Sequence, residues 1–213
     1  MQAEAIRTML VLLEGNIAAG KSTLGKMLAA SGQYEFIPEP VDRWQSGFAA
    51  NLLERFYTDT RRWAFTLQIC AFVTRTQVLQ GLNNGQKTVV FERSIYCDRH
   101  VFAKNLHQYG FMDDTEWALY LHFWDYLKGL APLPHAILYL RTPAEECFRR
   151  LQTRGRAEER GISHDYLRQL EARHDEWLLN AEAAERPVIL LDGMRTWTVE
   201  DIRQQLAQVA VQG

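Results

Sequence analysis

Residues 8–22 read Thr8-Met9-Leu10-Val11-Leu12-Leu13-Glu14-Gly15-Asn16-Ile17-Ala18-Ala19-Gly20-Lys21-Ser22. An unbroken apolar run is what a strand covered on both faces requires. It ends at an acidic residue and passes into G-x-x-x-x-G-K-[ST], after which a helical pattern begins. The two glycines let the backbone curl so that successive N–H groups face an anion, and the following helix N-terminus adds to the attraction. Lys21 supplies a mobile charge for the β- and γ-phosphates, and the Ser22 hydroxyl suits Mg²⁺. The plain alternative is a glycine-bearing turn with no ligand, and the strand before and helix after weigh against it. The motif predicts a nucleoside triphosphate held by Gly15, Asn16, Ile17, Ala18, Ala19, Gly20, Lys21, Ser22 and Thr23.

Outward from this motif, short apolar runs alternate with amphipathic stretches. Further strands are expected at 34–38, 88–92 (TVVFE), 136–140 (AILYL) and 188–192 (VILLD). Helices are expected at 21–30, 52–57 continuing as 60–82, 95–107, 115–130, 143–153, 166–184 and 199–209. Pro143 suits a helix start, and Ser163 and Thr198 suit N-caps. The alternation predicts an α/β fold of three layers, a five-stranded parallel sheet with helices on both faces. Three strands end in Glu14, Glu92 and Asp192, at the carboxyl edge where such sheets bind ligands. With no repeat and no Gly-, Ser- or Pro-rich linker, residues 1–213 read as a single domain.

Composition narrows the class. Of 213 residues, 47% are hydrophobic and 23% charged, which excludes a disordered chain. Lys+Arg 24 against Asp+Glu 26 gives a net charge of -2, so no overall attraction to nucleic acid or anionic membrane is expected. Cys70, Cys97 and Cys147, odd in number and without C-x-x-C, fit a reducing cytosol rather than a disulfide framework. The apolar run after Arg7 is too short for a signal peptide, and none approaches the ~20 residues of a membrane span. A cytoplasmic protein without nucleic-acid or membrane partners is expected.

A phosphate loop does not by itself say what receives the phosphate. The base-reading N-K-x-D of GTPases is absent. Glu39-Pro40-Val41 and Glu92-Arg93-Ser94 instead follow the second and third expected strands, at the same edge as the loop. A carboxylate there can take a proton from an attacking hydroxyl or hold Mg²⁺, and a neighbouring arginine can orient the acceptor. Alone, either would read equally well as a helix cap or a surface ion pair.

From Gly15 to about Trp177 the chain carries GNIAAGKST, EPVDRW, NLLERFY, W-A-x-x-x-Q, ERSIYCDRHVF, RGRAEE and H-x-x-W-L. In this order they resemble the deoxyribonucleoside kinase family, of P-loop NTPase fold, within it the deoxyadenosine, deoxyguanosine and deoxycytidine kinase branch. The resemblance implies transfer of the γ-phosphoryl of ATP, or of another triphosphate, to the 5′-hydroxyl of a deoxynucleoside. It makes Glu39 the general base, with Arg93 on the same oxygen, and Glu92 a Mg²⁺ residue beside Ser22. Tyr57 and Glu159 would hold the 3′-hydroxyl. Gln68 would read the base edge and Phe102 stack on the ring, with Val41, Trp44, Leu53 and Phe56 lining the pocket. Arg75, two helical turns after Gln68, would join Asp98 and the small Ala71 at the end carrying the exocyclic group. Many members have phenylalanine where Leu67 stands, so one aromatic face is lost and room is gained.

Arg149, Arg150, Arg154, Arg156 and Arg160 crowd one segment. A solvated charged face is one reading, and nucleic-acid binding another that Glu158, Glu159 and the negative net charge oppose. In the resemblance, residues about 150–161 are a lid whose Arg150, Arg154 and Arg156 close over the transferring phosphoryl group. Planar guanidiniums suit its charge, and closure excludes water. Cys97 and His100 form a C-x-x-H with no second pair to complete a zinc site. Ser94 lacks the surroundings of a nucleophile elbow. The expected metal is Mg²⁺ arriving with the nucleotide.

Two rival readings remain. A nucleoside monophosphate kinase of thymidylate kinase type shares loop, sheet and arginine lid. It typically shows Asp-Arg-aromatic after the third strand, and a carboxylate at Glu39 would repel a phosphorylated acceptor. A nucleotide-dependent switch or binding module would need no acceptor pocket. By analogy with the family a homodimer is implied, and regions 52–82 and 115–130 are apolar enough to supply its interface.

Overall fold

The first strand, β1 (Leu10–Glu14), is buried along its whole length. It forms the middle of a five-stranded sheet ordered β2-β3-β1-β4-β5, every pairing parallel. The others are β2 (Tyr34–Ile37), β3 (Thr88–Glu92), β4 (Ala136–Arg141) and β5 (Val188–Asp192). The computed structural model describes residues 9–82, 87–180 and 184–210. All five expected strands form. Thr8, expected in the first, lies outside the described residues.

Because strand side chains alternate between faces, each strand feeds two cores. Leu10, Leu12, Val89, Phe91, Ile137 and Tyr139 enter one, with α4 (Thr60–Gln80), α7 (Asp114–Leu127) and α9 (His164–Leu178) packed over them. Val11, Leu13, Val90, Leu138 and Leu140 enter the other, under α1 (Lys21–Ala30) and the last helix, α10 (Val199–Ala210). Each such aliphatic side chain is worth about 1.5–3 kcal/mol when removed from water. A parallel sheet with helices on both faces is the fold these runs specify.

The chain runs from β1 outward to β2, returns through β3, then crosses β1 to β4 on its other side. The order therefore reverses at β1, the position where ligands bind in such sheets. The Gly15–Ser22 loop leaves β1 at that point. Register brings Glu92 opposite Leu13, so the end of β3 lies against the start of the loop.

Several helix boundaries differ from expectation. A short helix not read from the sequence, α2 (Val41–Ser46), starts after Pro40 and buries Trp44. α3 (Leu52–Thr58) is capped by Asn51 and parts from α4 at Asp59, whose side chain accepts from the Arg62 N–H. The expected helix 95–107 is a composite of α5 (Ile95–Cys97), a π-helical turn (Asp98–Ala103) and α6 (Lys104–Gln108). Asp113 and Glu116 form a reciprocal capping box that sets the start of α7, and a 3₁₀ turn, Lys128–Leu130, follows it. α8 (Ala144–Arg154) begins after Pro143 and ends at Gly155 in the left-handed region, leading into a 3₁₀ turn, Ala157–Gly161. α9 stops at Leu178, short of the expected 184, and residues 181–183 of that expectation lie outside the described ones. Ser163 and Thr198 both accept an N–H at the start of the following helix. Among the described residues no helix is long and apolar enough to cross a membrane.

Candidate active site

The loop after β1 owes its shape to three residues with positive φ. These are Gly15 at 149°, Ala18 at 59° and Gly20 at 107°. Gly15 is also forced by space, since a Cβ there would stand 2.5 Å from the Leu140 carbonyl oxygen. Asn16 turns inward: its amide donates to the Leu167 carbonyl at 2.8 Å, tying the loop to α9. Lys21 Nζ donates to the carbonyls of Gly15 and Asn16 at 3.0 and 2.8 Å. Burial and the Arg93 charge bring this ammonium down to about 8. Gly15 and Asn16 thus build the loop, while the residues from Ile17 to Thr23 line the cavity above it.

That cavity, about 800 Å³, extends from the loop to α4. Apart from Gly15 and Asn16, every site residue named from the sequence lines it. Ser22 Oγ donates to Glu92 Oε1 at 2.8 Å. A hydroxyl and a carboxylate, both hard oxygen donors beside the phosphate loop, fit the requirements of Mg²⁺.

Glu39 follows β2 and stands in the middle of the cavity. Its Oε1 is 2.5 Å from Arg75 Nη2 and 3.1 Å from Arg93 Nε. Burial alone would raise this carboxyl, but Arg93, Arg75 and Lys21 together outweigh it and hold it below the ordinary range. Arg93 also lies over the Phe102 ring, 4.6 Å from its centroid.

Beyond Glu39 lies the end of the cavity formed by α4 and the π-helical turn. Arg75 Nε is 3.3 Å from Asp98 Oδ2, too poorly aligned for a hydrogen bond, and its guanidinium sits 4.7 Å over the Trp44 ring. Among the described residues, Gln68 Oε1, Asp98 Oδ2, and Arg75 Nε and Nη1 are buried without a hydrogen-bond partner. Asp98, at 2% exposure against 20% for Glu39, is shifted the opposite way although the shared cation lowers both. Burial dominates and pushes its carboxyl up to about 7, Arg75 only partly offsetting it. Leu67 and Ala71 form the wall beside these groups.

At the lid, Arg154 grips Glu159 through two nitrogens at 2.5–3.1 Å, and Arg156 reaches the same carboxylate at 3.4 Å. Arg150 behaves differently from its sequence neighbours. It donates to the carbonyls of Ala19 and Gly193 at 2.8 and 3.0 Å and pairs with Glu146 at 2.6 Å. It therefore clamps the phosphate loop to the turn after β5 rather than standing with Arg154 and Arg156 on Glu159. Burial holds the Tyr57 phenol well above its usual value, so it stays a neutral donor facing Glu159.

Lining residues missed by sequence reasoning include Asp42 and Gln45 of α2 and Tyr166 of α9. The first two follow from the unread helix, and Tyr166 carried no motif. Beneath the site, Cys97 faces His174 at 3.5 Å, not His100, which stacks on Trp177. Glu14, Cys97 and His174 converge there, with Arg93 Nη1 3.4 Å from the sulfur.

Comparison with known proteins shows the family to which this fold belongs. The profile of the Deoxynucleoside kinase family matches residues 11–211. Mouse deoxycytidine kinase is 37% identical over 222 residues, covering 89% of this chain and 85% of its own. Chicken deoxycytidine kinase 2 is 36% identical, covering 92% and 86%. The mitochondrial deoxyguanosine kinase of Xenopus laevis is 34% identical, covering 78% and 71%. The match runs from the central strand to the last helix, and the chain belongs to the deoxynucleoside kinase family.

Proposed function

We propose that the chain transfers the γ-phosphoryl of ATP to the 5′-hydroxyl of a deoxynucleoside whose base carries an exocyclic amine, as a step of nucleotide salvage. The observation that carries this reading is the set of buried atoms of Gln68, Arg75 and Asp98 that make no hydrogen bond, in residues that line the cavity. Such atoms are costly unless a ligand satisfies them. Together they offer acceptors and donors to the polar edge of a nucleobase, in the same cavity as Glu39.

In this reading Glu39 accepts the 5′-hydroxyl proton through the oxygen not held by the two arginines. Arg93 fixes that carboxylate and orients the hydroxyl. Tyr57 and Glu159 hold the 3′-hydroxyl, Phe102 stacks on the base, and Val41, Trp44, Leu53 and Phe56 close the pocket. The loop N–H groups and Lys21 hold the donor phosphates. Ser22 and Glu92 are the residues that would hold Mg²⁺, which neutralises charge on the phosphates when bound. Arg154 and Arg156 meet the charge that develops on the transferring group, and Arg150 keeps the loop in shape for it. Leu67 leaves space for a purine. The exposed Leu119, Tyr126 and Leu130 on and after α7 support a homodimer through that face.

The test is a coupled assay of ATP consumption with each of the four common deoxynucleosides. Turnover with amine-bearing bases, and thymidine the poorest acceptor, is expected. Thymidine as best substrate would overturn the base assignment. Tight ATP binding without transfer to any nucleoside would favour a nucleotide-binding module.

A further inference from the structure

Arg75 is one cation set between two carboxylates that serve different ends of the substrate. Its Nη2 is 2.5 Å from Glu39 Oε1, and its Nε is 3.3 Å from Asp98 Oδ2. The guanidinium is 2% exposed and sits against Trp44, so the side chain has little room to leave, and of its two partners Asp98 is as buried as itself while Glu39 is 20% exposed. Whatever happens to Asp98 is therefore felt at Glu39.

We propose that Arg75 is a positioning residue that couples the identity of the bound base to the strength of the catalytic base. An amine at the base edge donates to Asp98 and keeps it anionic. The guanidinium is then shared between two anions, and Glu39 is a stronger proton acceptor. A keto oxygen at the same place repels the anionic carboxylate, and Asp98 takes a proton from solvent to donate to it. Arg75 then serves Glu39 alone and holds it as a weaker acceptor. Specificity would thus act in the chemical step as well as in binding, which is where differential transition-state stabilisation is effective.

The surroundings of Glu39 permit this. The charged and titratable groups that face it are Lys21 from the loop, Tyr57 from α3, Arg75 from α4, Arg93 after β3 and Asp98 in the π-helical turn. Tyr57 is held neutral. Asp98 is itself faced by Arg75, Glu39, Arg93 and Glu14, and by Tyr120 and Cys97, both of which burial keeps neutral. Asp98 is the group whose charge a ligand amine can decide, and its carboxyl sits near neutrality, so both protonation states are within reach.

The inference rests on the proposed phosphoryl transfer, and its test separates the two. Single-turnover rates at saturating acceptor are measured with deoxycytidine and deoxyuridine, which differ at the ring position that carries the amine or keto group. If neither accepts phosphate, the proposed activity has failed. If both do, the coupling expects deoxycytidine to be faster by about three- to thirtyfold, from the 1–3 pH units by which a neighbouring cation moves a carboxylate. In Arg75→Met the ratio of rates should fall to about one while KM rises for both, and Arg75→Lys should restore most of the ratio. A ratio unchanged in Arg75→Met, or discrimination in the wild type through KM alone, overturns it. A measurement on the wild type covers the case in which Arg75→Met does not fold. With deoxyuridine the rate should climb as pH rises through the titration of Asp98, and with deoxycytidine it should stay flat over that range. Parallel profiles would sink the coupling.

Discussion

Arg93 Nε stands 3.1 Å from Glu39 Oε1, and its backbone sits at φ 60°, in the left-handed region. For a residue with a Cβ this conformation costs about 1–2 kcal/mol. The fold holds it through the Arg93 N–H, which donates to the Leu13 carbonyl at 3.1 Å, and through the Ser94 N–H, which donates to Glu14. The turn redirects the chain at the end of β3 and aims the guanidinium across the site, over Phe102 and onto Glu39. Strain of this kind is retained where geometry is worth more than local stability.

Glu39→Gln keeps the shape and one hydrogen bond but cannot accept a proton. Its kcat should fall by about 10²–10⁴ with a smaller change in nucleoside affinity. Rapid-quench rates paired with nucleoside titration calorimetry separate the two. Turnover near the wild-type value would move the role of base to Glu92.

The two lid arginines should behave unequally. Arg156 touches Glu159 only at 3.4 Å, so Arg156→Ala should slow transfer while leaving the affinity for nucleoside alone nearly intact. Arg154 grips Glu159 with two short bonds, and removing it releases a carboxylate assigned to the 3′-hydroxyl. Arg154→Ala should therefore lose both turnover and nucleoside affinity. Calorimetry without ATP distinguishes them, and a large affinity loss in Arg156→Ala would refute its assignment to the transition state.

Gly25 lies in α1 where alanine would ordinarily be the better residue. A Cβ at this position would run into the Phe36 ring on β2. Gly25→Ala should thus destabilise by about 1–3 kcal/mol, the usual cost of overpacking, instead of gaining helix propensity. Because β2 leads directly to Glu39, turnover should fall as well. Urea unfolding with and without Phe36→Leu checks this, since the smaller partner should recover most of the loss.

The parallel sheet is readable because its strands are buried on both faces and so appear as apolar runs, of which Leu10–Glu14 is the clearest. The phosphate loop is readable because its backbone geometry demands glycine at fixed spacing. Gln68 and Arg75 can be placed on one face of α4 by helical periodicity alone. That same periodicity says nothing of Glu39, which meets Arg75 across 36 residues of sequence. Arg150 likewise looks like a lid residue from its neighbours, whereas its partners are carbonyls at Ala19 and Gly193, 131 and 43 residues away. Cys97 has a histidine three positions on but pairs with His174, 77 residues away. Local pattern specifies elements and loops, and partner choice across the site comes from packing.

The stability of the enzyme should depend on pH through Asp98. Its folded carboxyl titrates at about 7 because burial outweighs the help of Arg75, while the unfolded value is near 3.8. An acid raised in this way favours the folded state below the unfolded value, and that contribution is lost as pH rises through about 7. A carboxamide at this position cannot ionise, so Asp98→Asn should lack the loss. Relative to the variant, the wild type should weaken by up to about 1.4 kcal/mol per pH unit across this window and level off above it. The comparison between the two proteins matters because His174 and His100, held neutral down to about 3 and about 4, push stability the other way with rising pH. They are present in both proteins and drop out of the difference. Urea midpoints taken in parallel through acidic and neutral pH read that difference directly. A constant offset would mean that Asp98 is ionised throughout, and the charge state that the base edge is proposed to control would not be available for control.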